Sequence, residues 1–540
     1  MAISEGTAVH HRRHQRSHRG REGTGWRGLL PAGVEAGLWI LLIATPLALG
    51  SVSGTATVLM EGACFALLVL AWWAGMGQEG VRVPRAFQVV AAGFVLWSLL
   101  QVVPLPPSVL AWVSPGTHRL YVENLPGYAS PGGSADLQSW LLQRRDTPST
   151  DLTPRSKNRT GFEGKLAVPA RWKPISWYPD RTLQWLSRFL AYGALFLLVV
   201  KFLPERACRK RLPRLLLLLG FGIAVLGILQ HLTWNGKIYW FIRVYQGNPF
   251  GPWVNNNHFS GYLEMILPLG GAVLLQAGDW AGSRRRHHRR NLVPQVLLAL
   301  FSMLWIVAAL GAARSRGGLF SLLFTIVLYA MAQVAAGQWK NRNPRLAPFL
   351  AMLPLLLATA GAAAYVLRPG LHEEAPVEEG LEPSLASRVV AWKGVATMIA
   401  SNPLSGTGLG TFDLAYPVFK TYGSTGNWRQ AHNDYLQALA ESGLVGFALF
   451  LAGAVFLSRR FLLPVLLSPW RRQEPVALAA GLGLVTLLFH SLVDFNLQIP
   501  SNGLLFVLLG GLLVRLYTPP SPSPAEAGEE EKNLRMAGNP

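Results

Sequence analysis

The chain has 540 residues, 51% of them hydrophobic and 14% charged, with a net charge of +21. Its apolar residues gather in runs of about twenty, the length that crosses the hydrocarbon core of a bilayer, and no long stretch mixes polar and apolar residues as a water-soluble domain would. Most of the basic excess sits in short loops at the ends of those runs, where orientation and anionic-lipid contact account for it, which removes nucleic acid as a leading partner.

In chain order, residues 1–32 form a His- and Arg-rich amino-terminal segment, read as a basic cytoplasmic stretch rather than a cleaved signal or a metal tract. The runs that follow predict an all-α polytopic membrane helix bundle over 33–518 with about twelve transmembrane helices. They fall near 33–53, 55–75, 86–104, 182–203, 212–231, 259–277, 292–312, 318–337, 346–367, 436–458, 476–496 and 502–518. The loops "EGVRVPR", "ERACRKRLPR", "SRRRHHRR" and "QWKNRNPR" share one side, which the positive-inside rule makes cytoplasmic. Two large loops, 105–181 and 368–435, then lie on the outer side. The first is rich in turn formers, with a short helix expected around "DLQSWLLQRR", and reads as a covering flap. In the second, "EPSLASRVVAWKGVATMIASNP" has helical spacing and predicts an amphipathic helix across the mouth of the bundle. The Gly-rich "LSGTGLGTFDLAY" after it lacks the strand and helix of a dinucleotide fingerprint and reads as a turn that lets backbone approach closely. Residues 519–540, Pro/Ser-rich and then acidic, are expected to be a disordered cytoplasmic tail. Cys64 and Cys208 lie too far apart in topology to form a disulfide with each other.

Several polar residues break the pattern on the outer face. Arg314 and Arg316, in the short turn "AARSRGGL", violate the charge rule for outer loops; with Arg243 and Arg388 they form a cationic rim that either binds an anion or snorkels to headgroups. In "RQAHNDYLQALAESGLVG", a helix starting near His432 stacks Asp434, Gln437 and Glu441 on one face. Glu441, about two turns in, is expected to line a wet cavity or meet a cation, and Gly443 and Gly446 to admit a neighbouring helix. His490 and Asp494, at helical spacing, are expected to satisfy each other.

Arginines around one histidine suit a particular chemistry, in which forked guanidinium groups hold phosphate oxygens while a neutral imidazole activates a hydroxyl. A diphosphate leaves readily without a general acid. The chain has no Asp-x-Asp for a metal-dependent sugar transfer and no P-loop for ATP, so the expectation is a transfer with no cofactor and no metal.

The stretch "HNDYLQALAESGLVG" resembles the signature H-[NSQ]-x9-G-x-x-[GTY] of the bacterial O-antigen ligase and O-antigen polymerase superfamily, met here by His432, Asn433, Gly443 and Gly446. "NNNHFSGYLEMILPL", the "SRGG" turn, the 368–435 loop and "HSLVDFNLQIPSNG" agree with it over about 180–515. The resemblance implies a multi-pass protein of the bacterial inner membrane, with both large loops periplasmic. Its expected reaction moves a glycan from undecaprenyl diphosphate to a sugar hydroxyl of an acceptor glycolipid or growing polysaccharide. It implies His432 as the base, with Arg316 and Arg388 on the donor diphosphate and Arg314, Arg243, Asn433 and Glu441 as further substrate contacts. Trp392 stands where the R-x3-L pattern of the large loop has Leu, and the long 105–181 loop is unlike compact ligases. A polymerase, a protein O-glycosyltransferase of the same superfamily and, from another class, a lipid-linked sugar transporter are the alternatives; no internal repeat favours the last.

Overall fold

A computed structural model describes residues 29–77, 83–125, 128, 172–244, 247–281, 292–335, 385–421, 428–468 and 474–517. The expected span at 346–367, the "DLQSWLLQRR" helix, most of the basic amino-terminal segment and the acidic tail lie outside the described residues.

Helices occur at the other eleven expected spans. They are α1 (Leu30–Leu47), α2 (Gly54–Trp73), α3 (Arg85–Leu100), then two short outer helices α4 (Pro107–Val113) and α5 (Pro115–Asn124). There follow α6 (Pro179–Leu197), α7 (Leu212–Leu232), α8 (Asn256–Ala281), α9 (Leu292–Ala313) and α10 (Arg316–Ala335). The chain closes with α11 (Leu385–Ser401), α12 (Asp434–Leu457), α13 (Pro475–His490) and α14 (Pro500–Tyr517). Among the described residues, nine helices are long and apolar enough to cross a membrane; α3 and α13 are apolar but shorter. A two-residue β-hairpin, β1 (Lys237–Ile238) with β2 (Ile242–Arg243), follows α7. The chain is thus an all-α membrane bundle.

The apolar runs show little sidedness because lipid and core are both apolar. Burial separates them: 78% of the α8 window is buried and 72% of α14, against 39% for α9. α8 therefore forms the axis, packed on α13, α9 and α7, while α9 and α10 turn much of their surface outward. The first span ends at Leu47 rather than 53, and α13 ends at His490 rather than 496, because polar turns follow each.

The two ends of the bundle differ in chemistry. At one, the basic connections are tied to acids: Arg211 to Glu35 at 2.8 Å, and Arg209 to Glu205 at 2.5 Å and Glu474 at 3.0 Å. At the other, α4 and α5 dock on the end of α11, where Ser114 Oγ and the Thr117 amide both donate to Asn402 Oδ1, at 2.8 and 3.0 Å. This end carries the candidate site.

Candidate functional site at the loop end of the bundle

The Gly-rich loop after α11 approaches the first turns of α12. Gly443, inside α12, has φ +65° and ψ −176°, a conformation open only to glycine, and a Cβ there would collide with the Leu404 carbonyl oxygen. The break at Gly443 frees backbone groups that the loop takes up. The Thr407 and Gly408 amides donate to the Ala440 and Glu441 carbonyls, and the Leu444 amide donates to the Pro403 carbonyl. From α3, Trp97 Nε1 donates to the Ser442 carbonyl at 2.9 Å. What comes close at Gly443 is therefore a loop rather than the expected helix. At Gly446 the expected helix contact is present, since a Cβ would lie 2.9 Å from Trp97.

Glu441 belongs to the same join. Its Oε2 accepts from the Gly410 amide at 2.8 Å, and its Oε1 from the Phe412 amide at 3.1 Å and Gln437 Nε2 at 3.2 Å. Instead of a wet cavity or a cation, this buried carboxylate meets backbone donors. It fastens the loop to α12.

Just before α12, His432 has φ +48°, a left-handed conformation uncommon for a residue with a side chain. The surrounding backbone is fixed from several directions. Trp392 Nε1 donates to the Ala431 carbonyl at 2.7 Å, and the Asp434 amide donates to the Ser491 carbonyl at 3.0 Å. Asn433 caps α12, accepting from the Tyr435 and Leu436 amides, while its Nδ2 donates to the Leu492 carbonyl at 2.8 Å. Asp434 Oδ2 accepts from the Leu497 amide at 3.0 Å and so holds the 491–499 turn. The helix starts at Asp434, and Asp434, Gln437 and Glu441 are all buried, as their shared face requires.

That turn delivers Asp494 to the histidine. His432 Nδ1 lies 3.4 Å from Asp494 Oδ1, and His258 Nε2 lies 3.7 Å from the same oxygen, both at ion-pair range and looser than a settled hydrogen bond. Phe495 stands edge-on to both rings, at 4.4 and 4.6 Å between centroids. Burial, the largest single influence, pulls the Asp494 carboxyl upward. The polar contacts and charge of His258 and His432 together outweigh it, holding Asp494 well below the ordinary carboxylate range. His490, expected to pair with Asp494, instead meets Glu264 of α8 at 2.6 Å, with Asp494 at 4.0 Å from its other nitrogen. Glu264 is adjacent to His490 across the α8–α13 interface, the most extensive helix contact among the described residues, and so reaches it first.

The "SRGG" turn closes one wall. A Cβ on Gly317 would lie 2.7 Å from His490 Nε2, and one on Gly318 would lie 3.1 Å from Glu264 Oε2, so both glycines let the first turn of α10 sit on this pair. Asn256 Nδ2 donates to the Ala313 carbonyl at 2.7 Å and fixes the turn to α8. Arg314, with φ +55°, and Arg316 flank buried Ser315 and are both exposed. Arg388 is buried and donates to the Val493 carbonyl, next to Asp494. Arg314, Arg316 and Arg388 therefore lie on elements that touch the His432–Asp494–His490 cluster. Arg243 sits on the hairpin after α7, exposed, and no hydrogen bond or ion pair among the described residues joins it to that cluster.

Within the cluster several buried atoms lack a partner at hydrogen-bonding geometry: His432 Nδ1, His258 Nε2, His490 Nε2, Glu264 Oε2, Asp494 Oδ2 and Ser260 Oγ. Among the described residues no group of three or more His, Cys, Asp or Glu side chains converges as metal ligands. Sequence reasoning missed the pairing of Asp494 with His432, the second histidine His258 on the same oxygen, and the role of Trp392. The signals were His258 and Glu264 as polar residues at the start of a span and Trp392 as a departure from a pattern.

Residues 301–451 match the family model described as O-antigen ligase. Over those residues, just over a quarter of the chain, the sequence is similar to that family. No curated protein matches the chain. The matched residues include Arg314, Arg316, Arg388, His432, Gly443 and Gly446, whereas His258, Glu264, His490 and Asp494 lie outside them.

Proposed function

We propose that this protein belongs to the O-antigen ligase superfamily, whose model residues 301–451 match, and that it transfers a saccharide chain from undecaprenyl diphosphate to a sugar hydroxyl at the periplasmic face of the bacterial inner membrane. The single observation that carries the reading is the buried His432–Asp494 pair at 3.4 Å, reached from the arginine-bearing elements of α10 and α11. His432 is the general base. Its Nδ1 faces Asp494, so Nε2 is the nitrogen that takes the acceptor proton, while Asp494 orients the ring and stabilises the imidazolium that forms. Arg388, Arg316 and Arg314 hold the donor diphosphate as forked or charge-assisted contacts. The acceptor oxygen bonds to the anomeric carbon, the bond from that carbon to the diphosphate oxygen breaks, and the electron pair leaves with undecaprenyl diphosphate.

Asn433 and Glu441 act by positioning, one on the 491–499 turn and one on the Gly-rich loop. The basic end of the bundle faces the cytoplasm by the positive-inside rule, which puts His432 on the other side. The test is reconstitution of the purified full-length protein with lipid-linked glycan, with and without a glycolipid acceptor, in the presence of a chelator, and identification of products by mass. Acceptor-bound glycan is the expected product; lengthened glycan on the carrier in the acceptor-free arm identifies the growing polysaccharide as acceptor. Unchanged donor in both arms, from protein that remains folded, contradicts transfer.

A further inference from the structure

The hairpin after α7 is built at some conformational cost, and among the described residues no hydrogen bond or ion pair joins it to the His432 cluster. Tyr239 and Trp240, neither of them glycine, have φ +53° and +65°. Each such residue costs on the order of 1 kcal/mol and persists only where its surroundings fix it. Here they do: the Tyr239 amide donates to Gln230 Oε1 at 2.8 Å, and Trp240 Nε1 donates to Thr233 Oγ1 at 2.9 Å. Asn235 Nδ2 also donates to the Trp240 carbonyl at 2.9 Å. The hairpin is held rigidly and displays its apolar side chains outward. Leu232 and Phe241 are each more than 70% exposed, and Trp234 and Trp240 are also exposed, the amphipathic aromatic surface that suits a headgroup layer.

Two cations share this display. The hairpin register sets Lys237 directly opposite Arg243, which puts both side chains on one face at a separation of about 5 Å. Like charges so placed repel, and neither takes part in the ion pairs of the described residues. An anion between them removes the repulsion.

Beneath the hairpin, α1 and α7 diverge to leave an apolar groove of about 390 Å³, lined by Ile43, Leu47, Leu218 and Gly222 among others. Leu47 joins the two features, since it lines the groove and its carbonyl accepts from the Tyr239 hydroxyl at 2.5 Å. Two facing cations on a hairpin tied to a hydrocarbon-lined slot match one kind of occupant.

We propose that the hairpin and groove bind one anionic phospholipid, its phosphate between Lys237 and Arg243 and an acyl chain along Ile43, Leu47 and Gly222. Among the described residues no hydrogen bond or ion pair joins the cation pair to the His432 cluster, so this lipid is proposed as a ligand other than the glycan donor, with Arg243 acting outside the transfer.

The test uses the full-length protein in mixed phosphatidylglycerol and phosphatidylcholine, with native mass spectrometry counting the lipid retained. The wild type is expected to keep one phosphatidylglycerol, and the double variant Lys237→Ala/Arg243→Ala to lose that preference by about tenfold. The exchanged variant Lys237→Arg/Arg243→Lys is expected to keep it. A Cβ at Gly222 meets no atom within 4 Å, so Gly222→Leu fills the groove without forcing the helices apart; it is expected to lower retention at an unchanged unfolding temperature. Equal retention of both lipids by the wild type, unchanged retention in the double variant, or unchanged retention in Gly222→Leu overturns the proposal. So does displacement of the bound lipid by inorganic phosphate or by undecaprenyl diphosphate, either of which would make the site one for another ligand.

Discussion

Two buried carboxylates, 53 residues apart in sequence, teach different lessons. Glu441 is surrounded by donors that satisfy it: two backbone amides of the Gly-rich loop and the Gln437 amide group. Asp494 is satisfied only in part: one oxygen accepts from the Phe495 amide at 2.8 Å while His432 and His258 stand beyond ideal hydrogen-bond length from it, and its other oxygen has no partner at hydrogen-bonding geometry among the described residues. Satisfied buried groups fix a structure; under-satisfied ones cost free energy, and their concentration in one place marks where chemistry is done. In the proposed reading the α11–α12 join is scaffold and the His432–Asp494 cluster is the site, although both are polar anomalies in the sequence.

The contrast can be broken by substitution on either side. The largest effect is expected from His432→Ala, which should lower transfer by about a thousandfold, the scale of a lost general base, with an unchanged unfolding temperature. On the scaffold side, Gly443→Ala should cost several kcal/mol of stability, about as much as any single change, because a Cβ meets the Leu404 carbonyl and the backbone conformation excludes it. Thermal unfolding and expression level report this. Asp494→Asn should reduce turnover by about a hundredfold while leaving donor affinity nearly unchanged, since the amide cannot stabilise an imidazolium. A rise in KM with unchanged turnover would instead assign Asp494 to binding. Glu441→Gln, which keeps one acceptor oxygen but removes the charge, should destabilise by about 1–3 kcal/mol and leave the rate per folded molecule close to wild type.

A smaller effect sharpens the same contrast through pH. Because the Asp494 carboxyl is held below its ordinary range, its contribution to stability is fully present above the unfolded-state value of about 4 and is lost as pH falls toward the folded-state value. Acid unfolding followed by circular dichroism should therefore be less steep in Asp494→Asn than in the wild type. An identical acid transition in the two proteins would remove Asp494 as a contributor.

The bundle was legible because crossing a membrane forces long apolar runs, and the basic loops marked one end. Arg314 and Arg316 were legible as charges on the wrong side of the charge rule, and Arg388 and His432 as polar residues on the same outer face. The partners were not. Asp494 reaches His432 only because Asp434 and Asn433 bind the turn after α13, an arrangement set by hydrogen bonds to backbone that no spacing announces. Glu441 looked functional as a carboxylate inside a span, whereas Asp494 looked like a partner for His490, and only the Gly443 break reveals the amides that occupy Glu441. Arg243 shares a face with the other arginines, but no hydrogen bond or ion pair among the described residues joins it to the His432 cluster, because sequence gives the side of a membrane and not the position across it. Trp392 replaces the usual Leu and spends its indole N–H on the backbone before His432, a gain invisible without the contact.

The most direct measurement is single-turnover transfer by His432→Ala at matched occupancy of lipid-linked donor. Donor bound as in the wild type with no glycan reaching the acceptor is the predicted result. Product formed at the wild-type rate would contradict the account, because the imidazole would then have no part in the reaction.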